Sequence, residues 1–133
     1  MKKAVCLLAE RNGRYLAVSR RNDPNRWGFP GGKVDENEFN VEALQREANE
    51  EVGVLAPAVS YEPLFSDKCS GEVDFWVTTY LFVDPCPIMD MELVAEEGLL
   101  IDWKERFELC HPDHSPFWEY NIKAFEAYDR YRA

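Results

Sequence analysis

Residues 32–54 carry the pattern that most constrains this chain: Gly32, Glu38, Arg46-Glu47, Glu50-Glu51 and Gly53 stand at fixed spacing within one short segment. An α-helix advances about 100° per residue, so Glu47, Glu50 and Glu51, at i, i+3 and i+4, share one face. Beside that face, Val41, Leu44, Ala48 and Val52 form an apolar stripe. The spacing predicts a helix over residues 39–52 that packs one face on a sheet and turns the next toward a cleft. Gly53 can take the left-handed conformation that ends a helix, and Pro57 blocks early resumption. Three neighbouring carboxylates repel one another. Either water solvates them or a cation sits among them, and an oxygen-only ligand set suits Mg²⁺ first and Mn²⁺ second. Upstream, Trp27-Gly28-Phe29-Pro30-Gly31-Gly32 reads as a tight, backbone-exposed loop whose glycines leave the main chain open to a phosphate or a metal.

Composition narrows the function classes. The chain has 133 residues and 46% hydrophobic residues, enough for one domain, 1–133, with a single sizeable core. A formal net charge of −10 argues against a nucleic-acid-binding surface, which needs a basic patch. A compact phosphate substrate delivered with a divalent ion stays compatible, because the ion offsets the charge. No apolar run is long enough to span a membrane. The start, Met1 to Glu10, resembles a signal peptide only faintly, because its apolar run is short and Glu10-Arg11 follows at once. Cys6, Cys69, Cys86 and Cys110 show no paired spacing. The expectation is reduced thiols and a cytoplasmic protein.

The remaining periodicity predicts a mixed α and β fold. Residues 4–10 and 14–20 read as strands joined by a turn at Asn12-Gly13. Arg21 to Arg26 reads as a polar loop. Strands are predicted over 58–66, 72–83 and 97–103, and a helix over 115–131, capped by Asp113 or Ser115 with Pro116 in its first turn. In residues 72–83, apolar and aromatic residues fall on both faces, which predicts a strand covered on both sides.

The segment 32–54 resembles the Nudix box, G-x5-E-x7-R-E-U-x-E-E-x-G-U with U a bulky aliphatic residue. Gly32, Glu38, Arg46, Glu47, Glu50, Glu51, Gly53 and Val54 match; Ala48, at the first U, is smaller than usual. The resemblance implies the Nudix fold, an α/β/α sandwich around a mixed β-sheet, and Mg²⁺-dependent cleavage of a phosphoanhydride in a nucleoside diphosphate-linked compound. It implies metal ligands at Glu47, Glu50, Glu51 and the Gly32 carbonyl. Arg46 is expected to ion-pair with and position a glutamate, and Glu38 to support loop and helix. In the MutT-like branch a further acidic ligand precedes a Trp-containing strand. Glu97, before Trp103, has the matching spacing, with Glu96 as its fallback.

Small size and Trp27-Gly28-Phe29-Pro30-Gly31-Gly32-Lys33 resemble that MutT-like branch, so a (deoxy)nucleoside triphosphate is the leading substrate expectation. Trp118 and Asn121, where the last helix begins, are candidates to stack on a base and to read its edge. Arg20, Trp27 and Lys33 are further candidates for substrate contact. Two other readings compete: a nucleotide-binding Nudix module without catalysis, and an RNA-cap hydrolase, which the acidic balance disfavours. Small domains of this family often dimerise, so the resemblance leaves a homodimer open. Cys110-His111-Pro112-Asp113-His114 has zinc-like residue types but lacks a second ligand pair, and reads as structural.

Overall fold

The computed structural model describes residues 1–70, 74–83 and 92–133. Its elements run β1 (Lys2–Leu8), β2 (Glu10–Arg11), β3 (Arg14–Arg20), β4 (Asp23–Gly28), β5 (Gly31–Lys33), α1 (Asn40–Val52), a 3-10 turn (Ala58–Ser60), β6 (Tyr61–Cys69), β7 (Phe75–Phe82), β8 (Ile101–Lys104), α2 (Arg106–Leu109) and α3 (Trp118–Arg132). One four-stranded sheet has the order β5-β1-β7-β6; β1 and β7 run parallel and the other pairs antiparallel. In the second sheet β3 pairs with β2, β4 and β8, all antiparallel.

Alternation along β1 and β3 sorts side chains onto two opposite faces. Val5 and Leu7 of β1 and Leu16 and Val18 of β3 join Leu44, Ala48 and Val52 of α1 in one core. Leu8 of β1 and Tyr15 and Ala17 of β3 join Leu109, Phe125 and Tyr128 in a second core on the α3 side. These two cores make the layers of the α/β/α arrangement. Thr78, Thr79, Tyr80 and Leu81 of β7 are all buried, so this strand is covered on both faces. Among the described residues, no helix is long and apolar enough to cross a membrane.

Several expectations need correction. The turn at Asn12-Gly13 does join antiparallel strands, with φ of 52° and 79° at its two residues, but the first arm is split. Residues 2–8 belong to one sheet and Glu10–Arg11 to the other. In the polar stretch 21–26, the four residues from Asp23 to Arg26 are strand. Asp-Pro-Asn reads as a breaker, yet among the described residues β4 pairs with β3 alone, and an edge strand tolerates Pro24. Residues 58–60 form a 3-10 turn and β6 runs on to Cys69, beyond the expected 66. The last strand starts at Ile101 rather than 97. The terminal helix starts at Trp118 after Phe117, so neither Asp113 nor Ser115 caps it and Pro116 lies outside. The four-residue helix α2 is too short to carry a periodic signal. Residues 72–73, Pro85, Cys86 and Pro87 lie outside the described residues.

Candidate active site

Helix α1 is fixed at both ends. Glu42 accepts the backbone N–H of Phe39 at 2.9 Å, and Gly53, at φ 74°, donates back to the carbonyls of Ala48 and Asn49. With Ala43, Leu44, Ala48 and Val52 buried, the acidic face is held beside strand β5. There, Gly32 is needed for space: a Cβ on it would stand 2.5 Å from Oε1 of Glu47. At Gly31 a Cβ would strike the Val5 carbonyl oxygen. These glycines are packed rather than backbone-exposed, because a strand and a carboxylate close on them.

Arg46 organises the acids. Its Nε donates to Glu38 Oε2 at 2.8 Å, and Nη1 donates to Glu47 Oε1 at 2.9 Å and to Glu50 Oε2 at 3.4 Å. Nη2 reaches the Lys33 carbonyl at 3.0 Å. One planar guanidinium therefore ties β5, the loop and α1 together. It holds the Glu38 carboxyl below the usual carboxylate range. The Glu47 carboxyl still lies above that range, since burial outweighs the Arg46 contact and Glu50 and Glu96 add repulsion.

Glu51 is the most perturbed acid. Gly31 donates its N–H to Glu51 Oε1 at 2.6 Å. Burial, with repulsion from Glu47 and Glu96, pushes its carboxyl from 4.5 up to about 7. Of the two loop acids, Glu96 is the one whose charge reaches both helix glutamates. Its backbone N–H donates to the Glu51 carbonyl, and its carboxylate takes Arg21 Nη2 at 2.6 Å. Glu97 is exposed and contributes a backbone carbonyl to Arg21.

Two clefts meet beside these acids. A polar cleft of about 500 Å³ is lined by Arg20, Arg21, Arg26, Gly31 and Glu51, among others. An apolar cleft of about 270 Å³ is lined by Cys6, Lys33, Phe75, Val77, Phe117, Tyr120 and Asn121, among others. Arg20, Phe29 and Gly31 belong to both. Arg20 stacks its guanidinium over Phe117, 5.0 Å from the ring centroid, and Lys33 lies 5.9 Å from the Phe75 ring. Gly28 leaves the room that Phe117 fills, since a Cβ there would stand 3.0 Å from that ring.

Of the residues singled out from sequence, the fold gathers Gly32, Arg46, Glu47, Glu50 and Glu51 around one end of α1. It places Arg20, Lys33 and Asn121 on the clefts. Trp27 belongs to the second core, with Lys104 4.4 Å above its ring. Trp118 lines neither cleft; its neighbour Phe117 does. Cys110 packs against the second core, and burial pushes its thiol up to about 11. His111 Nδ1 accepts the Asp113 N–H within the turn. Sequence reasoning missed Arg21, Arg26, Phe117 and Tyr120. The Arg20-Arg21 doublet was a usable signal; the aromatic pair was not, because the C-terminal segment holds several aromatics with no periodic preference.

The donors suit a hard divalent ion. They are carboxylate oxygens, and among the described residues no cationic side chain forms an ion pair with the partly buried Glu51. Among the described residues no three acidic, histidine or cysteine side chains meet as a ready-made ligand set, because Glu47 and Glu50 turn to Arg46.

A family model described as NUDIX domain matches residues 1–124. The chain belongs to the NUDIX family. The CTP pyrophosphohydrolase of Escherichia coli K12 is 28% identical, over all of this chain and 95% of that protein. The nucleoside triphosphatase NudI of Escherichia coli O139:H28 is 31% identical, over 82% of this chain and 85% of that protein. The solution structure of the E. coli ORF135 protein superposes with a TM-score of 0.75 at 26% identity, covering 100% of this chain and 91% of that one. This Nudix protein is an enzyme, a nucleotide pyrophosphohydrolase.

Proposed function

We propose that the chain hydrolyses a nucleoside triphosphate, ribo- or deoxyribo-, to the monophosphate and pyrophosphate, in a reaction that depends on Mg²⁺ or Mn²⁺. The observation that carries this reading is Glu51. It is an acid perturbed upward by burial and by two other acids, and it stands on the wall of a cleft that also holds three arginines. Relatives whose names specify CTP or a nucleoside triphosphate support the substrate class.

Glu47, Glu50, Glu51 and the Gly32 carbonyl would hold the ion, with Glu96 rather than Glu97 as the loop ligand. When bound, the ion would neutralise phosphate oxygens and acidify a ligated water. Arg20, Arg21 and Arg26 line the polar cleft and offer their guanidinium groups to the phosphates. A glutamate of α1 accepts the proton of the attacking water. Arg46 acts as a positioning residue, since its hydrogen bonds to Glu38 and the Lys33 carbonyl fix where Glu47 stands. The base enters the apolar cleft against Phe117, and Lys33 and Asn121 contact it from the walls.

The test is a screen with Mg²⁺ of canonical and oxidised (deoxy)nucleoside triphosphates, ADP-ribose, dinucleoside polyphosphates, nucleotide sugars and capped RNA, with products separated by chromatography. Monophosphate plus pyrophosphate from a triphosphate is expected. Failure to turn over any compound, with one of them still raising the melting temperature, would replace this reading with a binding module.

A further inference from the structure

Hydrogen-bond direction fixes what the apolar cleft offers a ligand. Asn121 is buried, and its Nδ2 donates to the Leu109 carbonyl at 2.8 Å and to Ser115 Oγ at 3.3 Å. A carbonyl can only accept, so the amide cannot be reversed without placing two oxygens face to face. Both amide hydrogens are therefore engaged inside the protein. The polar group that this leaves Asn121, a residue of the cleft wall, for a ligand is its carbonyl oxygen.

The floor beside it follows the same polarity. Tyr120 Oη donates to the Val77 carbonyl at 3.2 Å. A phenol has one hydrogen, so across the 2.8 Å contact with Thr79 Oγ1 the threonine donates. Thr79 also has one hydrogen, so across its 3.1 Å contact with Cys6 the thiol donates. Each proton in the row Cys6, Thr79, Tyr120 is then engaged along the row that ends on the Val77 carbonyl, and none is left for a ligand. Of the two cations that line the cleft, Arg20 is shared with the polar cleft, while Lys33 belongs to the apolar cleft alone and holds its ammonium 5.9 Å from the Phe75 ring centroid.

We infer that the apolar cleft selects a nucleobase bearing an exocyclic amine, read by the carbonyl oxygen of Asn121. A keto group in that place would set oxygen against oxygen and leave a buried acceptor unpaired, which binding sites reject strongly. The shared chemistry is the amine of cytosine or of adenine. Asn121 is then a specificity-determining residue, and Leu109 and Ser115 fix its polarity. This inference rests on the proposed nucleotide reading.

The experiment compares kcat/KM for CTP against UTP and for ATP against ITP, each pair differing at the amine-bearing carbon. In parallel, calorimetry on the same protein compares CMP with UMP and AMP with IMP. At least a tenfold preference for the amine member is expected in kcat/KM or in binding. The pyrimidine arm identifies cytosine and the purine arm adenine. Turnover of triphosphates with equal or better use of the keto member would overturn this inference and leave the hydrolase reading intact. If no triphosphate is cleaved but CMP or AMP still binds tenfold tighter than its keto partner, the hydrolase reading fails and the base reading stands. No turnover and no binding preference overturns both. Asn121→Leu should bring the preferred pair to near equality, and the comparisons on the unmodified chain decide the matter if that variant does not fold.

Discussion

The two clefts share Arg20, Phe29 and Gly31, yet they are assembled in opposite ways. The acids beside the polar cleft come from less than two turns of α1, with one addition from the loop before β8. The apolar cleft takes Cys6 from β1, Lys33 from β5, Phe75 and Val77 from β7, and Tyr120 and Asn121 from α3. The first holds like-charged acids that repel one another, the second is mostly apolar, hydrogen-bonded within itself and flanked by Arg20 and Lys33. A local cluster of like charges suits chemistry that a counter-ion completes. A surface built from distant strands suits shape and edge recognition. The first region should therefore govern kcat and the second KM.

The sharpest way to break that division is to neutralise an acid without changing its shape. Glu51→Gln or Glu50→Gln should lower kcat by roughly 10²–10³-fold while KM moves by less than about threefold, as loss of charge-stabilising groups does in other active sites. Steady-state kinetics with a saturating divalent ion would show it, and near-normal turnover in both variants would sink the scheme. Arg46→Ala should come next. It frees Glu47 and Glu38 together, and loss of such a supporting partner typically costs about 10–100-fold in activity or metal affinity. Arg46→Lys should rescue little, since an ammonium cannot span the same four partners.

Sharpening the other side requires the apolar cleft. Phe117→Ala should raise KM about tenfold with kcat nearly unchanged, in line with about 1–3 kcal/mol for stacking on one base. Trp118→Ala, one residue away but outside both clefts, should leave both constants within about twofold. A fall in kcat for Phe117→Ala as large as that for Glu51→Gln would erase the proposed division.

The smallest effect concerns stability. In the folded chain the Glu51 carboxyl titrates near 7 instead of 4.5, so the fold keeps a proton that the unfolded chain releases. That contribution is complete below the unfolded value and is lost as pH rises through 7. Without divalent ion at pH 8, Glu51→Gln should therefore be more stable than the parent by about 2 kcal/mol, with the gap closing below pH 5. Denaturant melts at the two pH values measure this. A parent chain that is the more stable at pH 8 would show that Glu51 is not strained.

The same contrast explains what could be read in advance. Glu47, Glu50 and Glu51 share a face by helix geometry alone, and Gly53 ends that helix through a local backbone preference, so both were legible. The covering of β7 on both faces followed from apolar and aromatic residues on both faces of 72–83, while the layers were implied by the Nudix resemblance. Strand β4 was hidden because Pro24 is a breaker everywhere except on an edge, which is a property of pairing. Glu96 and Glu97 are adjacent and chemically identical, and only the contact of that loop with α1 and Arg21 separates them. Phe117 was missed in favour of Trp118 because the helix begins later than its polar flanks suggested. The polarity of Asn121 depends on Leu109 and Ser115, partners that no local spacing reveals.

Metal-dependent cleavage beside α1 is tested by an Mg²⁺ titration of the unmodified chain with its preferred triphosphate, following both products by phosphorus NMR. The expected result is no turnover without divalent ion, saturable activation, and monophosphate with pyrophosphate in equal amounts. Turnover that persists in chelator, or release of diphosphate and inorganic phosphate, would contradict it.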